Sequence, residues 1–125
     1  MEAEGTNGRS TVSLEENLKK ALTELLVLFL LSQRDYYIGD LTATISSRSH
    51  GALSIVFPYG AIYRIYQAGY ILESGKRNAP DGRLRQYYRI TDAGRVYLDQ
   101  LLATYRRFSR GVEDVLTAGG NEDGN

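Results

Sequence analysis

The segment Lys76–Gly94 constrains the fold more strongly than any other part of this sequence. Near its start lies Asn78–Gly82 (Asn-Ala-Pro-Asp-Gly), where proline presets φ and glycine permits a positive φ, so the chain is expected to turn there. The flanking stretches Tyr70–Lys76 and Arg83–Ile90 are rich in β-prone residues and are predicted strands. The segment therefore predicts a β-hairpin, followed by a helix that Thr91 caps.

Two helices are predicted in the first half of the chain. The first begins at Ser13, which forms a capping box with Glu16, and ends near Gln33. Its apolar residues recur at steps of three and four along Leu14–Leu28, the spacing of a helix with a buried stripe. The second helix spans Ile38–Ser47, and its apolar residues also fall on one face. Both helices are expected to contribute to the core.

A third helix is predicted from Pro58, which suits a first helical turn, to about Ala68, just before Gly69 in the C-cap position. The preceding stretch, Leu53–Phe57, is expected to form a short strand or an apolar plug. The residues expected to hold the helix to the core are Ala61, Ile62, Ile65 and Ala68, and Tyr63 is expected to be buried as well. The residues left facing outward are Tyr59, Arg64 and Gln67. Arginine and glutamine side chains can read guanine and adenine edges.

The last helix has the most regular pattern in the sequence. Its apolar residues recur at steps of three and four, at Leu98, Leu101, Tyr105, Phe108, Val112 and Val115. A sustained repeat of this kind is typical of a coiled-coil seam. We expect the seam to pack on a second subunit, together with Leu18 and Leu22 of the first helix. The alternative is a groove within one chain that the first helix fills.

Three helices, a hairpin and a final helix follow the element order of a winged helix-turn-helix, in which the third helix lies in the major groove of DNA and the hairpin is the wing. The fold class is therefore mainly α with a small β-hairpin (α+β), extended by a C-terminal dimerisation helix. The chain is divided into a disordered N-terminal tail (1–12), the winged helix-turn-helix DNA-binding domain (13–90), the dimerisation helix (91–117) and a second disordered tail (118–125).

Charge is unevenly distributed, although the net charge is zero. Residues 1–40 carry 4 basic and 7 acidic side chains, residues 59–110 carry 10 and 4, and residues 111–125 carry 4 acidic and no basic ones. Salt screens charges beyond about 8 Å, so a phosphate backbone responds to local charge rather than to the net charge. The basic middle of the chain favours a nucleic-acid partner.

The basic residues of the hairpin are expected to lie on one side, because side chains alternate across a strand. The outward set is Arg83, Arg85, Tyr87 and Arg89. The opposite set is Leu84, Gln86, Tyr88 and Ile90, which is mostly apolar and should anchor the wing to the core. Lys76 and Arg77 add to the outward strip near the tip. Such a strip suits phosphate contacts or entry into a minor groove. The predicted DNA-binding residues are Tyr59, Arg64, Gln67, Lys76, Arg77, Arg83 and Arg85.

The composition argues against several other classes of protein. The chain has no cysteine, and its one histidine, His50, lies in a polar stretch without an activating neighbour. No catalytic centre, metal site or cofactor is therefore predicted. The longest apolar run, Leu25–Leu31, is shorter than the roughly 20 residues of a membrane span. No signal peptide is recognised, so a cytoplasmic location is expected.

Three motifs, in this order, resemble the PadR family of bacterial winged-helix transcriptional regulators, in particular its short members. Gly60–Tyr63 is similar to the Gly-Thr-Leu-Tyr opening of the family's recognition helix, and Gly69–Ile71 to its helix-to-wing junction. Gly82–Arg95 is similar to the pattern Gly-Arg-x-Arg-x-Tyr-Tyr-x-Leu-Thr-x-x-Gly-Arg. The resemblance covers roughly residues 14–116, with a third helix about one turn shorter than the family's pattern.

The resemblance implies a homodimeric DNA-binding repressor on a pseudo-palindromic operator, with the first and last helices building the dimer. It also implies a site for a small hydrophobic or aromatic effector between the C-terminal helices and the core. The residues able to stack such a molecule are Tyr97, Tyr105 and Phe108, which could equally form the dimer core. The alternative function is a winged-helix protein–protein interaction module without DNA binding.

Overall fold

The structure, a computed structural model, describes residues 10–124 and the side chains of residues 10–117. Within that range four helices surround a small antiparallel sheet. The elements are α1 (Val12–Leu31), β1 (Tyr36–Tyr37), α2 (Ile38–Arg48), α3 (Tyr59–Gln67), β2 (Ile71–Asn78), β3 (Leu84–Ile90) and α4 (Asp92–Gly124). This is the predicted winged helix-turn-helix order with an added C-terminal helix.

The sheet has three strands in the order β1-β3-β2. The β2–β3 hairpin, called the wing below, was predicted, and its turn forms as expected: Ala79 N donates to Arg83 O (2.8 Å), and Gly82 has φ +82°. The two-residue strand β1 was not predicted. It pairs Tyr36 with Tyr88 and Tyr37 with Tyr87, and so ties the wing to the segment between α1 and α2.

The core is built around the second half of α1. Its most deeply buried side chains include Val27 and Leu28, which lie in one apolar cluster with Leu41 of α2, Ile65 of α3 and Tyr36 of β1. Burying these side chains removes apolar surface from water, which stabilises the fold by about 25 cal/mol per Å². The cluster therefore holds α2, α3 and the wing in fixed positions around α1.

The end of α3 and the start of α4, which flank the wing, are capped as the sequence predicts. Gly69 ends α3 with φ +82°, and Tyr70 N donates to Ile65 O at 2.9 Å. Thr91 Oγ1 accepts a hydrogen bond from Gly94 N at 3.0 Å and caps α4.

The predicted capping box at the start of α1 is wrong. The helix begins upstream of Ser13, and the Thr11 hydroxyl donates to the Glu15 carboxylate at 2.7 Å. Glu16 forms an ion pair with Lys19 at 2.7 Å instead of reaching back to the helix start. The N-cap residue Thr11 thus makes no side-chain hydrogen bond to the backbone of the first helical turn.

Three predicted core positions do not reach the core. Tyr63 is 64% exposed and Leu84 is 65% exposed, and Ala68 is also exposed. Leu84 begins β3 at the wing tip, beyond the reach of any core element, Tyr63 lies on the outer side of α3, and Ala68 follows the last residue of that helix. The stretch Leu53–Phe57 forms no strand. Of its residues Ile55 is buried, whereas Phe57 is 84% exposed.

The long helix α4 extends to Gly124, beyond the predicted end at residue 117, so the backbone is helical where most of the tail 118–125 was expected. Residues 1–9 of the predicted N-terminal tail and Asn125 lie outside the described residues. None of the described helices is both long and apolar enough to span a bilayer.

Candidate nucleic-acid interface

One side of α3 presents an uncovered row of aromatic and polar side chains. Ala61, Ile62 and Ile65 are buried as predicted and fix the helix against the core. The opposite side carries exposed Tyr59, Tyr63, Tyr66 and Gln67. Of the three residues predicted to face outward, Tyr59 and Gln67 therefore do so freely.

Arg64, the third, is turned towards α1. Its Nε donates to Glu24 Oε2 at 2.9 Å, while the other carboxylate oxygen, Oε1, accepts a hydrogen bond from the Tyr97 hydroxyl at 3.2 Å. Tyr97 in turn stacks on Tyr70, with ring centroids 4.3 Å apart. Burial, and then the charge of Glu24, raise the pKa of Tyr97, so its hydroxyl stays protonated as a donor. Glu24 thus joins α3, α1 and α4 in one network.

Two of the wing arginines share one carboxylate. Arg89 donates to Asp35 through Nε and Nη2, and Arg77 Nη2 lies 3.3 Å from Asp35 Oδ2. Burial alone would raise the pKa of Asp35, but the hydrogen bonds led by that from Arg89 outweigh it and hold the pKa below its ordinary value. Asp35 is therefore ionised, and it neutralises part of the strip that was predicted to be free.

A second carboxylate holds Arg85. Asp81, in the hairpin turn, accepts a hydrogen bond from the backbone N–H of Arg83 at 3.0 Å and pairs with Arg85 Nη2 at 2.9 Å. These two contacts lower the pKa of Asp81, the backbone one more strongly. Arg85 is accordingly half-buried and directed at the turn rather than at solvent.

Aromatic rings contact two of the wing arginines, Arg77 and Arg85. The Arg77 guanidinium lies 3.8 Å from the ring centre of Tyr87, and that ring meets Tyr37 edge-on at 5.5 Å. Arg85 lies 5.3 Å from the Tyr37 ring on the other side. Contacts of this kind are worth about 0.5–1 kcal/mol at exposed sites. They hold the guanidinium groups in place along the wing.

Lys76 and Arg83 are the predicted wing cations that remain exposed without an acidic partner among the side chains of residues 10–117. Lys76 lies in β2 and Arg83 directly precedes β3, so they flank the hairpin turn. The seven predicted DNA-binding residues lie on α3, on β2, and on or directly before β3, and three of them, Arg64, Arg77 and Arg85, are tied to carboxylates. Sequence reasoning missed Glu24 and Asp35 because they lie far from Arg64 and Arg77 in the chain, and it also missed Asp81, which lies four residues before Arg85.

The predicted dimer residues divide into three groups. Leu98 is 5% exposed and belongs to the chain's own core, so its assignment to a subunit interface is corrected. Leu22 and Leu101 are half-buried where α1 and α4 pack together. The remaining members are exposed along the two helices: Leu18, Tyr105, Phe108, Val112 and Val115.

A shallow groove of about 170 Å³ lies between α1 and α4. Tyr105 and Phe108 line it, together with Leu22, Leu25 and Leu101. Tyr97, the third predicted effector residue, is not part of its lining and is held by Glu24 instead. In the part of the chain that the structure describes, no group of acidic, histidine or cysteine side chains is arranged to hold a metal ion.

Comparison with known proteins agrees with this architecture. Residues 27–100 match the transcriptional regulator PadR-like family. A relative, an uncharacterized protein X of Lysinibacillus sphaericus, is 29% identical over 80 residues, which are 62% of this chain and 72% of the relative.

Solved structures share the fold. A transcriptional regulator from Clostridium thermocellum aligns over 78% of this chain and 96% of its own, with a TM-score of 0.67 and 22% identity. A PadR-like transcriptional regulator from Bacillus cereus aligns over 80% of this chain and 96% of its own, with a TM-score of 0.66 and 23% identity. The predicted winged-helix fold with a C-terminal helix is confirmed.

Proposed function

The chain belongs to the PadR-like family of transcriptional regulators, which is not a family of enzymes, and we propose that it regulates transcription by binding double-stranded DNA through α3 and the wing. The observation that carries the proposal is that the outer row of α3 is exposed where it borders the wing, and that the wing cations Lys76 and Arg83 are exposed as well. An exposed helix beside a basic hairpin is the arrangement with which winged helices address adjacent grooves.

The structure changes which residues we assign to the bases. Arg64 is held by Glu24, so we place Tyr59, Tyr63 and Gln67 nearest the major-groove edges. Glutamine can donate to and accept from adenine, and tyrosine hydroxyls suit phosphate oxygens. Lys76 and Arg83 grip phosphates, while Arg77 and Arg85 act from their positions against the Tyr87 and Tyr37 rings.

We propose that the active form is a homodimer. The outer half of α4 and the start of α1 leave a line of large apolar side chains uncovered in the single chain, among them Leu18, Phe108, Val112 and Val115. Exposed apolar patches of this extent mark interaction surfaces. A two-fold dimer would present two copies of α3, which fits a pseudo-palindromic site with half-sites spaced by a helical turn or a multiple of it.

Such a dimer would act as a repressor in the cytoplasm. A small hydrophobic or aromatic molecule would release it from DNA. The groove between α1 and α4 supports this proposal, because Tyr105 and Phe108 offer aromatic faces beside the proposed subunit interface. A ligand seated there would alter how the two α4 helices meet, and with them the spacing of the two α3 helices.

Fluorescence anisotropy of a labelled duplex over a salt series tests DNA binding. We expect wild-type protein to bind with an affinity that falls steeply with salt, and Arg83→Ala to lower the slope of log affinity against log salt by about one unit. Arg110→Ala removes the same charge from an exposed position on α4 and should leave the slope unchanged.

The other candidate, an interaction module that does not bind DNA, predicts a different outcome. Its support is the neutral net charge and the pairing of wing arginines with Asp35 and Asp81. Wild-type protein without measurable affinity for any duplex at low salt would favour that module and overturn our proposal.

A further inference from the structure

A cleft of about 200 Å³ lies between α3 and the wing and differs in chemistry from the basic surface around it. Its lining residues are Ile38, Tyr59, Ile62, Tyr63, Tyr66, Glu73 and Tyr88. Four of the seven are tyrosines, from α3 and from β3. We call this the tyrosine cleft.

Glu73 is the one acidic residue of the tyrosine cleft, and no basic residue lines it. The ion pairs found among residues 10–117 do not include Glu73. Its carboxylate therefore has no cationic partner among the described side chains. Glu73 pairs in register with Tyr88 across β2 and β3, which brings the carboxylate and that ring to the same face of the sheet.

The electrostatic character of the tyrosine cleft is visible at Tyr88. Burial raises the pKa of its hydroxyl, and the neighbouring Glu73 carboxylate and Tyr66 hydroxyl raise it further. A group that resists ionising to an anion reports surroundings that disfavour negative charge. Burial disfavours a charge of either sign, whereas the contribution of Glu73 disfavours an anion and favours a cation.

The tyrosine rings add a second attraction of the same sign. Tyr59, Tyr63 and Tyr66 leave much of their surface uncovered. The face of an aromatic ring is electronegative and attracts a cation, and cages of aromatic rings closed by a carboxylate suit quaternary or methylated ammonium groups. Such a group is weakly hydrated, so the apolar contacts with Ile38 and Ile62 favour it over a metal ion or a bare ammonium.

We propose that the tyrosine cleft is a binding site for a small organic cation of the methylated or quaternary ammonium class. Glu73 neutralises its charge, and the four tyrosines enclose its alkyl groups. Because Tyr59 and Tyr63 also belong to the proposed DNA contacts, a bound cation and DNA compete for them. The cleft would therefore give the DNA-binding face a ligand response of its own, separate from the groove between α1 and α4.

Binding is tested first without DNA, by calorimetric titration of the full chain with choline and with its uncharged carbon isostere 3,3-dimethylbutan-1-ol. The two molecules have nearly the same shape, so a cation site should prefer choline by about tenfold. Glu73→Gln should weaken choline binding by a similar factor, and Glu113→Gln, an exposed change on α4, should leave it unchanged. Equal affinity for both molecules, no saturable binding of choline, or unaltered binding by Glu73→Gln would each overturn the proposal.

A second measurement separates this inference from the proposed DNA binding. Duplex affinity is compared in choline chloride and in sodium chloride at the same ionic strength. We expect weaker DNA binding in choline chloride for wild-type protein and equal binding in both salts for Glu73→Gln. Equal wild-type affinity in both salts would refute the competition, whereas absence of DNA binding in either salt would refute the proposed function and leave the calorimetric result standing.

Discussion

Arg89 holds Asp35 with two parallel hydrogen bonds, from Nε to Oδ1 at 3.1 Å and from Nη2 to Oδ2 at 3.0 Å. The two residues are far apart in sequence, and the contact ties β3 to the segment that joins α1 to β1. Arg77 adds a third contact from β2. One carboxylate therefore fixes both strands of the wing to the body of the domain, and it also reduces the positive charge that the wing offers to DNA.

Replacing Asp35 separates its effect on stability from its effect on the positive charge of the wing. Asp35→Asn should lower the free energy of unfolding, because the charge-assisted hydrogen bonds from Arg77 and Arg89 are weakened. In the same variant the salt slope of DNA binding should steepen by about one unit for each arginine that becomes available to a phosphate. Asp40→Asn breaks the ion pair with Arg34, which is not a wing arginine, and serves as the control in urea unfolding and anisotropy. An unchanged salt slope in Asp35→Asn would show that the carboxylate does not restrain the wing charges.

Lowering the pH should weaken the contact between Asp35 and the wing arginines. The pKa of Asp35 is lowered in the folded protein from its ordinary value of 3.8, so the unfolded chain takes up the proton first as the pH falls. The stability that Asp35 contributes is therefore fully present above 3.8 and is lost as the pH falls through the lower, folded value. Urea unfolding at a series of pH values should show wild type and Asp35→Asn converging on the acid side. A difference that stays constant down to about pH 2 would contradict this assignment.

The sequence predicted the elements whose cause is local. The turn Asn78–Gly82, the cap at Thr91 and the stop at Gly69 each depend on the conformational preferences of neighbouring residues, and each was confirmed. The strand β1 has only two residues, too few for any alternation to be recognised, and it exists because β3 offers it a partner. Which side of α3 and of the wing is buried also depends on partners that are distant in sequence. For this reason the predicted burial of Tyr63 and Leu84 was wrong.

Dependence on distant partners also limited the prediction of the candidate site. Periodicity correctly separated the buried and outer sides of α3 at Ile62 and Ile65, but it could not show that Glu24 draws Arg64 away from the outer side. Charge counting located the basic region of the chain correctly. It could not distinguish Arg83, which has no carboxylate partner among the described side chains, from Arg89, which lies on Asp35.

The packing of Gly94 offers a stability test within α4. A Cβ added at this position would collide with the carbonyl oxygen of Tyr70 and lie 2.8 Å from Ile90 Cγ1. Because the backbone cannot move away easily, Gly94→Ala should destabilise the protein by about 1–3 kcal/mol. Gly111→Ala, in the same helix with open space around it, should instead stabilise it by up to about 1 kcal/mol through helix propensity. Thermal and urea unfolding measure both, and a neutral Gly94→Ala would show that α4 can shift away from the wing junction.

The network around Glu24 predicts different roles for two residues of α3. Arg64→Ala should lower stability, since it leaves Glu24 with only Tyr97, and should leave discrimination between base sequences nearly unchanged. Gln67→Ala should keep stability and reduce discrimination at one base pair by about 1–3 kcal/mol. Bound fragments selected from the host genome would supply the site, and single-base variants of it the measurement. Loss of discrimination in Arg64→Ala rather than in Gln67→Ala would reverse these roles and mean that Arg64 leaves Glu24 on DNA.

The proposed dimer depends on apolar side chains of α4 that the single chain leaves uncovered. Phe108 is 63% exposed and lies in the repeat with Val112 and Val115, so Phe108→Glu would place a charge in the centre of the seam. Burying an unpaired carboxylate there costs several kcal/mol, which exceeds what a small interface can offset. Light scattering after gel filtration should give twice the 14.0 kDa chain mass for wild type and a single-chain mass for the variant. Arg110→Glu, two positions along and on another side of the helix, should remain dimeric. A wild-type protein that is monomeric at micromolar concentration, or a dimeric Phe108→Glu, would move the interface away from this seam.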